Sequence, residues 1–282
     1  GGMGGYLIGC ATDSMFMGLL GAFLVGGIFG LIFSFLTVTL QANQNVIGLT
    51  ITTFGIALYF FIGRGLGDKF PAFADSPSFK AAFQPVDMGF LSDIPIIGKA
   101  LFSQSPLVYL AIAIAIIAGV YLKRTKAGLR TRAVGENPAA ADSAGINITA
   151  VKYTNIICGT GIMGIGGLYL GLYMGGSFEG SATWTNGMGW IAIALVIFAN
   201  WKPIAAILGT FVFGLFFTLD TQKLVLVDAM PFLSFLTKIP TQLYSALPFI
   251  ITAIVLIVTS ISKRKNNNEP TAIGLNYFRE ER

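Results

Sequence analysis

The sequence predicts an all-α protein, a polytopic transmembrane helical bundle of about seven full spans preceded by a partial N-terminal one. Three observations carry this expectation. Charged residues make up 11% of the 282-residue chain, against about 25% in ordinary soluble domains. Hydrophobic residues make up 54% and the mean hydropathy is +0.75, a composition that a bilayer solvates and water does not. The apolar runs are also continuous, as in LVYLAIAIAIIAGVYL at 107–122, whereas a transmembrane β-barrel needs strands of about ten residues that alternate in polarity. At about 20 residues per span no soluble domain of useful size is left over. Residues 1–262 are therefore read as one transmembrane domain and 263–282 as a tail.

The spans fall at about 15–40, 45–63, 106–122, 153–175, 188–201, 203–219 and 240–261. Before them, GGMGGYLIGCAT looks like the second half of a span that ends near Asp13, and an N-terminal piece is expected to precede it. No cleavable signal peptide is visible. Orientation follows from charge. The 123–152 segment carries Lys123, Arg124, Lys126, Arg130, Arg132 and Lys152 against Glu136 and Asp142, and the tail opens with Lys263, Arg264 and Lys265. Both are expected in the cytoplasm by the positive-inside rule, and the four spans between them give the required parity. Lys202 then falls inside, and the 64–105 loop, with four basic and four acidic residues, falls outside. The pI of about 9.2 is explained by these loops and does not call for nucleic acid.

The loop at 64–105 is longer than a mere connector. IPIIGKALF within it is expected to form a short interfacial or re-entrant helix, serving either as a lid over the bundle or as a docking site for an outside partner. The tail KNNNEPTAIGLNYFREER is polar and expected to be partly disordered.

Several function classes are disfavoured by what the chain lacks. It has no histidine, so histidine metal sites and histidine general bases are absent. Cys10 and Cys158 both lie in apolar sequence without partner spacing, which gives no disulfide framework. No Asp, Glu, Lys or Arg occurs from Ser14 to Gly63, Pro106 to Leu122, Tyr153 to Phe178 or Ile239 to Ser262. Proton pumps and voltage sensors place ionisable groups at those depths, so energy is expected to enter from elsewhere. Sodium coupling through neutral oxygens stays open. GTGIMG at 159–164 matches GxGxxG in letters only, since it lies in a span with no preceding strand. A GxxxxGK[ST] loop is absent, so any ATP is hydrolysed by another subunit.

Glycine spacing supplies a packing signal. Gly26 and Gly30 form a GxxxG pair, Gly167, Gly171 and Gly175 form two overlapping steps, and Gly159, Gly161, Gly164 and Gly166 precede them. Small residues at this spacing let helix backbones approach closely.

The 123–152 segment holds a short helix. Asn137 suits the N-cap, Pro138 the first helical position, Ala139–Ala144 favours helix, and Gly145 is placed to end it. A helix so regular, presenting small side chains such as Ala140 and Ala141, suits a groove in another protein. A solvated topology loop is the plainer reading.

AVGENPAAADSAGI closely resembles the cytoplasmic coupling segment of bacterial ABC importer permeases of the branched-chain amino acid, ribose and simple-sugar type. QANQNVIGLTITTFGIALYFFIG at 41–63, LSDIPIIGKALFSQSPLVYL at 91–110 and the glycine-rich span after the coupling segment look like the same family in the same order. Ribose-type permeases tend to carry GGN where this chain has Gly135, Glu136 and Asn137. GENP and the LSDIP loop are more similar to the nucleoside-uptake subgroup. The family's earlier N-terminal span and its NIG-type motif have no counterpart here. The resemblance implies a multi-pass subunit of the bacterial cell membrane that works with a second, non-identical permease, an ATPase of two fused nucleotide-binding cassettes, and a membrane-anchored substrate-binding lipoprotein. ATP and Mg would sit on the ATPase, with no cofactor or metal in this chain. Gly135, Glu136, Asn137, Pro138, Ala140, Ala141 and Gly145 would form the ATPase-coupling surface.

For a nucleoside, the pathway calls for neutral donors and acceptors with aromatic surface. Asn45, Thr52, Thr53, Asn155, Thr160, Trp184 and Trp190 supply that chemistry. Each has a plainer role as an interhelical hydrogen-bonding group or an interfacial tryptophan. Ribose, another simple sugar or a branched-chain amino acid are the alternative cargoes. An autonomous carrier or channel is the rival class, and a membrane enzyme the least supported, since no catalytic constellation is visible.

Overall fold

The computed structural model describes residues 1–69, 76–87, 89, 102–175, 187–229, 239–261 and 270–278. Among them, four helices are long and apolar enough to cross a bilayer, at Met15–Thr39, Gln44–Gly63, Pro106–Arg124 and Ile148–Tyr173. These coincide with the first four predicted spans. The remaining three predicted spans coincide with shorter described apolar stretches, Met188–Phe198, Pro203–Leu215 and Gln242–Ile254. The chain packs as two compact units, residues 1–111, 124–186 and 272–282 in one, and 112–123 with 187–271 in the other.

The first unit starts with α1 (Gly2–Thr12), which ends at Asp13 in the left-handed region at φ 48°. α2 (Met15–Ser34) follows and continues through a π-helical turn, Phe35–Thr39. Its buried positions include Gly18, Ala22, Gly26, Gly30 and Ser34, a stripe at i, i+4 spacing that forms one face of a helix. Phe16, Leu20, Leu24, Ile28 and Leu31 point outward. Small residues inside and large apolar residues outside is the arrangement of a helix packed in lipid.

That stripe receives α8 (Ile148–Leu170), itself extended by a π-helical turn at Gly171–Gly175. A β-carbon at Gly26 would lie 2.5 Å from the Thr160 carbonyl oxygen, and one at Gly161 2.6 Å from the Phe23 ring. The expected GxxxG contact of Gly26 and Gly30 is therefore present, with Gly161 and Gly164 facing it from α8. GTGIMG lies inside this helix, and its Gly161 and Gly164 serve packing while Gly159 faces open space.

Between α2 and α3 (Gln44–Lys69) the chain turns through Gln41 at φ 53°. Asn43 accepts from the amides of Asn45 (3.0 Å) and Val46 (3.2 Å), capping α3. Phe61 on α3 is 79% exposed, and the apolar window of this helix buries nothing inside the molecule.

At the Asp13 end, Ser76 donates to the Asp13 carboxylate (2.6 Å) and caps the short helix α4 (Pro77–Ala81). α4 delivers Phe79, 1% exposed, against Gly9 and Gly18, edge-on to Tyr6 and Phe83. β1 (Val86–Asp87) and β2 (Ser103–Gln104) pair antiparallel beyond it. α4 thus covers this end of the unit. All of IPIIGKALF except Phe102 lies outside the described residues.

At the other end, after α5 (Pro106–Arg124), the segment expected to hold one short helix holds two. α6 (Lys126–Glu136) is capped by Thr125, and α7 (Pro138–Ser143) by Asn137, whose side chain accepts from Ala140 N (3.0 Å). Gly145 at φ 78° ends α7 as expected, and Asn147 caps α8 through Ala150 N (2.9 Å). Val134, Ala141 and Ile148 form a small buried cluster between these helices. The tail, expected to be partly disordered, is turned at 271–274 and seated against this cluster through Tyr277.

In the second unit, α9 (Met188–Phe198), α10 (Pro203–Ala229) and α11 (Thr241–Ile261) pack together. Asn200 and Trp201, both left-handed, turn the chain between α9 and α10. Phe198 and Phe213 meet edge to face at 5.6 Å, and Thr252 reaches the Ala194 carbonyl at 3.5 Å. Gly119, within 112–123, faces Ile204.

Candidate functional site

A cavity of about 530 Å³ lies within the first unit between α1, α2, α3 and α8. α3 contributes Thr52, Gly55, Ile56, Tyr59 and Ile62, and α8 contributes Thr160, Met163, Gly164 and Gly167. Each set follows the i, i+3, i+4, i+7 rhythm of one helix face. Phe29 and Gly26 close the α2 side. The glycines make the hollow possible, because they draw the helices together without filling the space between them.

Thr52 and Thr160 lie near the middle of the spans Gln44–Gly63 and Ile148–Tyr173, which puts the cavity at mid-depth. Thr52 donates its hydroxyl proton to Gly48 O (2.8 Å), and Thr160 to Ile156 O (2.9 Å) or Ile157 O (3.1 Å). With their protons spent on their own helices, both hydroxyls offer lone pairs to a ligand. They suit a ligand bearing O–H or N–H donors. No Asp, Glu, Lys or Arg side chain is among the described lining residues. Phe29 and Tyr59 add aromatic surface.

The other predicted pathway residues lie elsewhere. Thr53 is exposed on another face of α3 and donates to Leu49 O (3.0 Å). Asn45 is exposed at the start of α3, two turns from Thr52. Asn155 donates to Thr131 Oγ1 (3.1 Å) and Val151 O (2.7 Å), tying α8 to α6 as a structural bond. Trp190 is 65% exposed on α9 in the second unit, and Trp184 lies outside the described residues. Sequence reasoning did not single out Tyr59 and Phe29, which line the cavity. The signal for Tyr59 was present, since it stands seven residues beyond Thr52 on the same helix face.

The predicted coupling surface is well defined. Glu136, Asn137, Ala140 and Gly145 are exposed, Gly135 and Pro138 half-buried, and Ala141 is 3% exposed. Ala141 donates to Asn137 O (3.0 Å) and accepts from Ile146 N (3.0 Å), so it anchors α7 from below while Glu136, Asn137, Ala140 and Gly145 face outward.

Residues 1–258 match the family described as "Branched-chain amino acid transport system / permease component". The chain belongs to this family. As a permease component it is a transport subunit and a multi-pass membrane protein. The permease is similar to the "Nucleoside ABC transporter permease protein NupC" of Lactococcus lactis, at 32% identity over 91% of this chain and 75% of that protein. It is similar to the "Guanosine ABC transporter permease protein NupQ" of Bacillus subtilis, at 31% identity over 94% of this chain and 78% of that protein. It is also similar to the "Putative glucose ABC transporter permease protein TsgC13" of Haloferax volcanii, at 29% identity over 99% of this chain and 86% of that protein. No solved structure matches the chain.

Proposed function

We propose that this permease is the membrane-spanning subunit of an ATP-driven importer of nucleosides, with seven full spans and a partial N-terminal one. The observation that carries the cargo is the aromatic-walled cavity, free of charged side chains among its described walls, with two acceptor hydroxyls at mid-depth. A nucleoside presents sugar hydroxyls and exocyclic amines as donors and a base as a stacking face. A branched-chain amino acid presents an ammonium and a carboxylate, and burying those charges without charged partners is costly. Two relatives are named as nucleoside and guanosine ABC transporter permeases, which supports the same choice, and one as a putative glucose permease, which keeps sugar as the alternative.

Energy enters at Gly135–Gly145. A separate ATPase of two fused cassettes, holding ATP and Mg, receives the exposed face of α7, and its closure displaces α7 together with α6 and the foot of α8. The ATPase then binds the two permease states with different affinity, which is the condition for driving the transition. A second, non-identical permease completes the pathway, and the apolar outer face of α3 lies against it or against lipid. A lipoprotein delivers substrate at the Asp13 end, so α7 and the C-terminus are cytoplasmic.

The test is competition for labelled guanosine uptake by cells expressing the complete transporter. Unlabelled nucleosides should abolish uptake, while ribose, free bases and branched-chain amino acids should leave it intact. Strong competition by ribose with none by nucleosides would overturn the assignment.

A further inference from the structure

Residues 272–277 make a series of directed bonds to one end of the first unit. Ala272 N donates to Gly135 O (2.9 Å), at the joint between α6 and α7. Lys152 at the foot of α8 donates to Leu275 O (3.2 Å). Asn276 donates to Gln41 O (2.6 Å) and accepts from Gln44 Nε2 (3.4 Å), and Gln41 Nε2 donates to Tyr277 O (3.3 Å). Tyr277 then places its ring on the Val134–Ala141–Ile148 cluster and donates its hydroxyl to Asp142 Oδ2 (3.0 Å) on α7.

A solvated polar tail has no reason to satisfy both ends of an asparagine amide and seat a tyrosine ring on a buried cluster. Ordering these side chains costs conformational entropy, and that cost is offset only if the contacts persist. The bonds also have a direction. They run from α7 and the α6–α7 joint to the Gln41–Gln44 elbow, where α2 and α3 meet. Those two helices carry Phe29, Thr52 and Tyr59 to the cavity.

We propose that Ala272–Tyr277 is a strap joining α7 to the α2–α3 elbow, with Asn276 and Tyr277 as positioning residues that pass displacement of α7 to the helices walling the cavity. The strap rests on the reading of α7 as the surface the ATPase moves. Its existence as a mechanical contact does not.

Two readouts on the complete transporter in lipid nanodiscs or liposomes separate these. The first is amide hydrogen exchange at 139–146. The second is nucleoside transported per ATP hydrolysed. Tyr277→Phe keeps the ring and loses the bond to Asp142. It should speed exchange by about 3- to 10-fold, the effect of one partly buried hydrogen bond, and lower transport per ATP by a similar factor. Asp142→Ala should act in the same direction, and the double variant should lose less than the sum of the two single losses because both remove the Tyr277–Asp142 bond. Asp142→Asn, which still offers an acceptor oxygen, should retain most of the wild-type ratio. Asn276→Ala should act in the same direction at the elbow.

Unchanged exchange in Tyr277→Phe and Asn276→Ala would overturn the strap. Faster exchange with an unchanged transport-to-ATP ratio would overturn its role in coupling. Wild-type transporter that takes up no nucleoside, yet shows the same Tyr277-dependent exchange, would uphold the strap and overturn the functional reading alone.

Discussion

Gly164 leaves no room for a β-carbon, which would overlap the Ala22 carbonyl oxygen of the neighbouring helix. A backbone oxygen cannot rotate away, so Gly164→Ala should force α2 and α8 apart and destabilise the permease by about 1–3 kcal/mol. Gly30 faces the Thr160 side chain, which has some freedom to move, so Gly30→Ala should cost less. Gly166 meets nothing within 4 Å, and alanine there should be neutral or gain slightly from helix propensity. Thermal unfolding in detergent checks the ranking, and equal losses at Gly164 and Gly166 would contradict the packing described. Thr52→Val and Thr160→Val remove the two acceptors at nearly constant volume. Each should weaken nucleoside uptake by about 3- to 10-fold with little change in unfolding temperature, measured as the concentration for half-maximal uptake. Unaltered uptake in both would remove the cavity from the pathway.

Single elements were legible in the sequence wherever the rules are local. Asn137, Pro138 and Gly145 bound α7 as expected because capping and left-handed termination depend on a few consecutive residues. The α2–α8 contact was legible at Gly26 and Gly30 for a similar reason. The exposed face of α3 was not, because a helix that is apolar all round carries no period to show which side turns inward. Thr52 lines the cavity and Thr53 does not, although they are adjacent. The docked tail was hidden for a further reason. Its contact between Tyr277 and Asp142 spans 135 positions of sequence, and its composition is that of any solvated terminus. α7 itself offers a direct test at this scale. Proline at Ala141 removes the N–H that bonds Asn137 O and fills a site that is 3% exposed. Glu136→Lys reverses an exposed charge beside it. Both should leave the permease in the membrane while ATP hydrolysis proceeds without uptake, measured as the ratio of the two rates. Wild-type ratios in both variants would contradict a coupling role for α7.

At the scale of the whole molecule, the two ends of the first unit are built differently. The Asp13 end is covered by α4 and Phe79, a hydrophobic cap tied to α1's terminus by the Ser76–Asp13 hydrogen bond. The α7 end is a polar, multiply bonded platform where two helices, an elbow and the tail converge. Between them lies a cavity at mid-depth, with no Asp, Glu, Lys or Arg side chain among its described walls. Under the proposed function, such a subunit would take its work from the platform and deliver it to the cavity. The most direct measurement is uptake of labelled guanosine into liposomes holding this permease with the proposed second permease and lipoprotein, with and without the ATPase. Uptake should require both the ATPase and hydrolysable ATP. Guanosine accumulation of the same rate in liposomes without the ATPase would contradict the account.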